Sequence, residues 1–388
     1  MKLRKDKWKP EKIGSICQVI SGGTPSRNIP EYFGGDIPWF TPTEIPKEKI
    51  EILLNSQENI NELGYKKSSA KLLPKGTVLL TSRATIGLIG IAGKEVTTNQ
   101  GFANFICNEK LLDNWFLAFW LHSRVGLIKS LSSGTTFKEI SKTSIRNLDI
   151  PLPPLEEQKQ IAALFQSIET AMEQVDGQEK NLKALQKTLV NGLVSTEPVF
   201  GNLLNSKNCT PTNIGSIAEC DKKYPEYEKE VERFVGLEWI EADNFQLQGF
   251  GLVANGTTFT KRFAKGDVLF GKRRAYLKKV AVADFDGICS GDILVIRAKA
   301  NKMLQGLLPY YISAEAFINH AVSTSAGSLS PRTKWKDLET FEIAIPDLKT
   351  QEKILEVLQQ LDNTIQQLKQ QKATLKLLKQ KLLNEILG

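Results

Sequence analysis

The stretch from Lys261 to Val280 holds eight basic residues and one acid, with Phe263, Phe270 and Tyr276 set among them. Lysines and arginines at that density neutralise phosphates, and arginine forks match the edges of bases. Interleaved aromatic rings add surface that packs against nucleic acid, so nucleic-acid binding is the chemistry this stretch can do. A solvated charged face is the plain alternative for any single basic run. Residues 1–150 lean the same way, with 21 basic against 14 acidic side chains, and the whole chain carries a formal charge of +8.

Catalytic patterns are harder to find. Gly93-Lys94 is followed by Glu95 and lacks the glycine spacing of a phosphate-binding loop, and Gly249-Phe250-Gly251 sits in no dinucleotide fingerprint. The Asn/Asp-Pro-Pro-Tyr/Phe signature of amino-methyltransferases is absent. Asp149, Glu157 and Lys159 faintly resemble a nuclease carboxylate–lysine set, but a helix start accounts for the glutamate and lysine. His122 and His320 have no visible triad partners, and five cysteines (Cys17, Cys107, Cys209, Cys220, Cys289) form no metal spacing. No catalytic residue and no metal site is therefore expected, and the cysteines are expected to be buried thiols in a reducing compartment. With 41% hydrophobic and 24% charged residues the composition is that of a soluble globular protein. No apolar run reaches the ~18 to 20 residues of a membrane span, and no apolar signal core follows the basic N-terminus. A cytoplasmic location without membrane association is the expectation.

Any binding residues must be positioned by the elements around them, and two of these stand out. After Pro151-Leu152-Pro153-Pro154-Leu155-Glu156-Glu157-Gln158, apolar residues recur at heptad spacing (Ile161, Phe165, Ile168, Met172, Val175, Leu182, Leu189, Leu193), predicting a helix over 151–194. Ile345-Pro346-Asp347-Leu348-Lys349-Thr350-Gln351 echoes the opening. Gln351 to Leu387 then aligns with Gln158 to Val194 without a gap. Both seams are broken at equivalent places, by Glu179 and Gln186 in one helix and by Lys372 and Lys379 in the other. Each helix is acidic early and basic late, so antiparallel pairing opposes unlike charges, although each helix following its own dipole would give the same order. At ~1.5 Å per residue, 37 residues make a rod of about 55 Å.

The flanking segments also repeat. Lys12-Ile13-Gly14-Ser15-Ile16, read as a short strand or turn, returns as Asn213-Ile214-Gly215-Ser216-Ile217. Lys75-Gly76-Thr77-Val78-Leu79-Leu80 returns as Lys265-Gly266-Asp267-Val268-Leu269-Phe270, and Ser132-Ser133-Gly134-Thr135 as Ser325-Ala326-Gly327-Ser328. The runs 77–81 and 88–92 read as a hairpin, and Asn114 to Ser123 as a core helix. The fold class expected is α+β: mixed α/β heads at 1–150 and 195–345, alternating with helices at 151–194 and 346–388 that pair as an antiparallel intramolecular coiled coil. The heads share a frame and differ in loops: Ser21-Gly22-Gly23-Thr24-Pro25-Ser26 has no counterpart in Cys220-Asp221-Lys222-Lys223-Tyr224.

Two divergent heads alternating with two similar helices, each opened by a Pro-x-Leu-x-x-Gln phrase, resemble the specificity subunit of a type I restriction-modification enzyme. Its marks are residues 150–158, Ser21 to Ser26 with Ile37-Pro38-Trp39, and Phe270 to Tyr276 with Asp286-Gly287-Ile288-Cys289-Ser290. The resemblance implies heads that each read half of a bipartite, asymmetric double-stranded DNA site. It also implies helices that set the half-site spacing and dock methyltransferase subunits, two of them expected. S-adenosylmethionine, ATP and Mg2+ are then expected on modification and restriction subunits and not on this chain. The DNA contacts expected are Thr24, Arg27, Trp39, Ser82, Arg83, Thr136 and Lys138 in the first head. In the second they are Lys272, Arg273, Arg274, Tyr276, Lys278, Ser290 and Arg332. The competing readings are a specificity subunit of a methyltransferase-only or type II-like system, an enzyme with its own nuclease or methyltransferase site, and a structural adaptor.

Overall fold

The computed structural model describes residues 3, 5–132 and 139–388. The chain divides into two compact units, Met1–Asp176 with Gln370–Gly388, and Gly177–Lys369, so both long helices contribute to both.

In the first unit a five-stranded sheet runs in the order Cys17–Ser21, Phe102–Cys107, Val78–Thr81, Ile89–Ala92, Glu51–Leu53. Only the last strand is parallel to its neighbour, and the hairpin 78–92 expected from the apolar runs is present. Its central strand is buried on both faces, which explains the unbroken apolar run. Val78 and Leu80 face a core with Phe105, Phe116 and Phe119, while Leu79 faces Phe40 and Phe102. The helix Asn114–Ser123 begins where the Asp113 carboxylate accepts the Phe116 amide at 2.9 Å. In the segment 12–16, read as a short strand or turn, Lys12 ends a strand and Ile13–Ile16 forms a single helical turn. Gly14 lies where an added Cβ would come within 3.0 Å of Arg146.

The second unit repeats this plan. Its four-stranded sheet, Ala218–Cys220, Ile293–Ala298, Val268–Gly271, Val280–Val282, has the order of the first four strands above. Val268 and Phe270 face Phe317 and Ile312, and Leu269 faces Val235 and Phe263 on the opposite side. A second sheet of Gly251–Leu252, Arg233–Val235, Gly287–Cys289 and Lys261–Phe263 covers that side.

Each head is tied to its helix in the same way. Lys9–Lys12 pairs antiparallel with Asp149–Leu152, and Thr210–Asn213 with Glu342–Ile345, so each head closes just before its long helix begins. The glutamine of the repeated phrase then locks the junction. Gln158 is fully buried, donates to Leu111 O and Pro153 O and accepts the Asp113 amide, at 2.8–2.9 Å. Gln351 does the same with Lys302 O, Pro346 O and the Leu304 amide, at 3.0 Å. A buried amide with both ends satisfied tolerates no shorter or apolar replacement.

The long helices are Leu155–Leu193 and Leu348–Leu382, the second continuing as a π-helical turn, Leu383–Leu387. In the first unit Ile161, Phe165 and Ile168 share a core with Leu383, Ile386 and Leu387. Polar residues fill the seam breaks. Lys379 bonds Glu169 at 2.6 Å with both side chains about nine-tenths buried, and Lys372 bonds Asp176 at 2.6 Å. Seven residues forward along one helix correspond to seven back along the other. In the second unit Gln186 donates to Asp362 at 2.5 Å, and the Tyr310 hydroxyl donates to the same carboxylate. Among the described residues no helix is long and apolar enough to cross a membrane.

Candidate nucleic-acid interface

The basic turn of the second head follows directly from the central strand. Val268–Gly271 ends, and Lys272 is gripped on both sides, its amide on Asp292 O and its carbonyl receiving the Thr333 amide, each at 3.0 Å. Arg274 and Lys278 then take left-handed backbone angles (φ 52° and 51°), uncommon for side chains of this size. The Arg274 amide is held by Pro331 O at 2.8 Å, and the turn Ala275–Leu277 closes between them. Strained backbone kept in place by surrounding bonds concentrates at functional sites.

The turn lies against the loop at 326–332. Arg273 and Arg332 face each other as an antiparallel bridge, which would place two like charges side by side. Asp292 resolves this: it accepts both arms of Arg332 (2.7 and 3.2 Å) and lies 3.6 Å from Arg273, whose Nε donates to Ser330 Oγ at 2.6 Å. The Arg332 hydrogen bonds, reinforced by the charges of Arg332, Arg273 and Lys272, hold the Asp292 carboxyl below its usual range. Lys272, Arg273, Arg274, Tyr276 and Arg332 are thus assembled on one surface, with Arg274, Tyr276 and Arg332 exposed. Ser290 is half-buried and shapes the turn, accepting the Asp292 amide at 3.2 Å. Lys278 stands apart, beside Glu315, whose carboxyl is held low first by its bond to Lys187 and then by Lys278. Asp292 and Ser330, which order the arginines, were not singled out from sequence because neither lies within the basic run.

The first head carries the same frame with other charges. The Ser82 amide bonds Gly101 O at 2.8 Å, and its carbonyl receives the Ile140 amide at 3.0 Å, as at Lys272. Ala84 takes the left-handed position of Arg274 (φ 61°). Arg83 bridges to Glu139, with its Nε 3.8 Å from the carboxylate, where Arg273 meets Arg332. Nearby, Thr24 bonds Gln100, one residue before Gly101, joining the glycine loop to this turn. Gly22 and Gly23 are required there because an added Cβ would lie 2.1 Å from Thr98 O and 2.3 Å from Ser69. Arg27 pairs with Glu58 at 2.7 Å and stacks 4.6 Å from the Phe33 ring and 4.9 Å from Trp39.

Two expected contacts are corrected. Trp39 is 2% exposed and its indole donates to Gly23 O at 2.9 Å, so it props the glycine loop from the core and presents nothing to a ligand. Ser82 is 5% exposed, a strand-end residue whose backbone makes the bonds described. Thr136 and Lys138 lie outside the described residues. Cys17 and Cys289 are buried as expected, whereas Cys107, Cys209 and Cys220 are half-buried; all five are free thiols. Among the described residues no group of three or more His, Cys, Asp or Glu side chains is placed to hold a metal ion.

Comparison with known proteins agrees with the duplicated frame. The type I restriction modification DNA specificity domain matches twice, over residues 5–184 and 207–377. The type I restriction enzyme MjaIX specificity subunit of Methanocaldococcus jannaschii is 36% identical over 199 residues, 51% of this chain and 46% of that protein. This chain therefore spans about half of that relative. The MjaVIII specificity subunit of the same organism is 24% identical over 91% of this chain and 85% of its own length. The S subunit structure from M. genitalium superposes over 99% of this chain and 97% of its own, with a TM-score of 0.59 at 16% identity. The HsdS subunit from Thermoanaerobacter tengcongensis superposes over 99% and 97%, with a TM-score of 0.52 at 19% identity. These likenesses fix the fold as two repeated mixed α/β domains with long helices. With the specificity domain matched over most of its length, the chain belongs to the type I restriction-modification DNA specificity family.

Proposed function

We propose that this chain is the DNA-recognition subunit of a type I restriction-modification enzyme, and that each head reads one half of a bipartite, asymmetric site. One observation carries the reading: a single backbone frame occurs twice, with Arg83 opposite Glu139 in one head and Arg273 opposite Arg332 in the other. Equal frames bring two loops to equivalent places, while unequal charges make them prefer different base edges.

In this reading the long helices form an antiparallel intramolecular coiled coil that sets the half-site spacing and docks two methyltransferase subunits. The polar pairs support it: Glu169–Lys379 and Asp176–Lys372 run in opposite directions, and Gln186–Asp362 fits the same register. The chain itself performs no bond chemistry. Methylating a base inside a duplex requires flipping it into a catalytic pocket, and that pocket, with S-adenosylmethionine, belongs to the modification subunits. ATP and Mg2+ belong to the restriction subunits, and the assembly works in the cytoplasm.

The test is a head exchange. A chain in which residues 205–345 are replaced by a copy of the first head is expressed with its modification partner, and the methylated motif is read by methylome sequencing. A symmetric motif built from one original half-site is expected; an unchanged asymmetric motif refutes two independent readers.

A further inference from the structure

Phosphate neutralisation does not explain one feature of the second head's basic surface. The Ala326 and Arg332 backbones exchange two hydrogen bonds, at 3.0 and 2.9 Å, closing a tight loop that turns through Gly327 at φ +111°. The loop is fastened to the basic turn through Arg273 Nε on Ser330 Oγ and the Arg274 amide on Pro331 O. Immediately before those fastenings stands Leu329, 89% exposed, the most exposed large hydrophobic side chain among the described residues. Single exposed leucines on mobile surface are ordinary. This one is held on a closed loop, between two small serines and beside Arg273 and Arg332.

A leucine in that position gains nothing from folding, because almost none of it is buried. It gains only when an apolar group is brought to it, and the surrounding cations select a polyanion. In duplex DNA the apolar group displayed among major-groove base edges is the C5-methyl of thymine. We infer that Leu329 reads a thymine methyl in the half-site bound by the second head, with Arg273 and Arg332 flanking it in an arrangement fixed by Asp292 and Ser330. This rests on the DNA-recognition reading above. Aliphatic contact then supplies a sequence preference that neither arginine provides.

The experiment uses the full chain with its modification partner and duplexes carrying the methylated motif. Each specified thymine is replaced in turn by deoxyuridine, which removes only the methyl, and affinities are measured for wild type and Leu329→Ala. At one position the wild type is expected to lose about fourfold, the equivalent of ~0.8 kcal/mol for one buried carbon. Leu329→Ala is expected to bind the unmodified motif more weakly by a similar factor and to show no further loss at that position. Its affinity for unrelated DNA, and the salt dependence of that affinity, stay at wild-type values, since no phosphate contact is touched. A half-site without any specified T·A pair overturns the inference. So does a wild type indifferent to deoxyuridine, or a Leu329→Ala chain that keeps the deoxyuridine loss. Weaker binding by Leu329→Ala without deoxyuridine sensitivity in the wild type makes the leucine a wedge between base steps, also against the inference. A wild-type complex that fails to discriminate its own motif strikes the DNA-recognition reading itself, a separate and recognisable result.

Discussion

Removing one partner of the Glu169–Lys379 pair should cost far more than removing both. The two groups meet at 2.6 Å with side-chain exposures of 10% and 8%, between the helix segments that enclose Ile161, Phe165, Ile386 and Leu387. Lys379→Met leaves the Glu169 carboxylate buried without its cation, and Glu169→Leu leaves the ammonium; stranding a buried charge in this way costs ~3–5 kcal/mol. The double variant strands nothing and fills the seam with apolar atoms of similar volume. It should therefore unfold within ~1 kcal/mol of wild type, or be more stable. The double-mutant cycle then yields a coupling of several kcal/mol, measured from urea denaturation at pH 7 followed by circular dichroism. Hydrogen exchange on peptides from residues 160–176 and 375–388 localises the effect to this unit. The pair also opposes misregister. A one-heptad slip in one direction sets Lys379 against Ala162, and a slip in the other sets Glu169 against Ile386, each burying an unpaired charge. Single variants that cost less than ~1 kcal/mol each, or a double variant as unstable as the sum of the singles, would refute this account.

The junction glutamines give a second expectation: Gln158→Ala and Gln351→Ala each orphan three backbone bonding groups, one of them in a fully buried bond, and should destabilise by ~2–4 kcal/mol. Hydrogen exchange should report the loss in the head whose glutamine is changed and leave the other head protected as in wild type. His122 gives a pH dependence, since burial, then the charge of Lys379, lowers its pKa to about 4. An unfolded histidine takes its proton near 6.5, so protons favour the unfolded chain and stability falls as pH drops from about 6.5 to about 4. His122→Gln should flatten that part of the urea-midpoint profile, whereas an unaltered slope would assign it to other groups.

The repeat made much of this architecture legible. A gapless match between Gln158–Val194 and Gln351–Leu387 exposes the two helices, and Lys-Gly-x-Val-Leu recurring in each head marks the central strand. Seam breaks at Gln186, Lys372 and Lys379 read as defects in a hydrophobic pattern, yet each is met by an acid from the other helix. Periodicity registers the missing leucine and cannot show what faces it. Trp39 misled for a related reason: an aromatic in a Pro-Trp-Phe run beside a glycine loop suits a contact surface and a core prop equally, and only burial separates them. Asp292 was invisible because it lies in the next strand's turn, distant in sequence from the arginines it orders.

What the two halves retain and what they change divides along physical lines. Retained are the groups whose loss would orphan a buried partner: the paired glutamines, the strand pairs that close each head, and the acid at Glu169 and its counterpart Asp362. Even there the partner has drifted, Lys379 in one unit and Gln186 with Tyr310 in the other, because an amide and a hydroxyl together satisfy the carboxylate that an ammonium satisfies alone. Groups under no such constraint have diverged freely. Glu139 corresponds to Arg332 and Ala84 to Arg274, at points where both heads keep the same backbone bonds, and where the second head sets two arginines face to face Asp292 stands in place of Gly101 and answers their charge. A surface framed by backbone hydrogen bonds can change the charges it presents, provided that close like charges gain a counter-charge as Arg273 and Arg332 do in Asp292. That separation of frame from face fits the proposal that each head reads its own half-site.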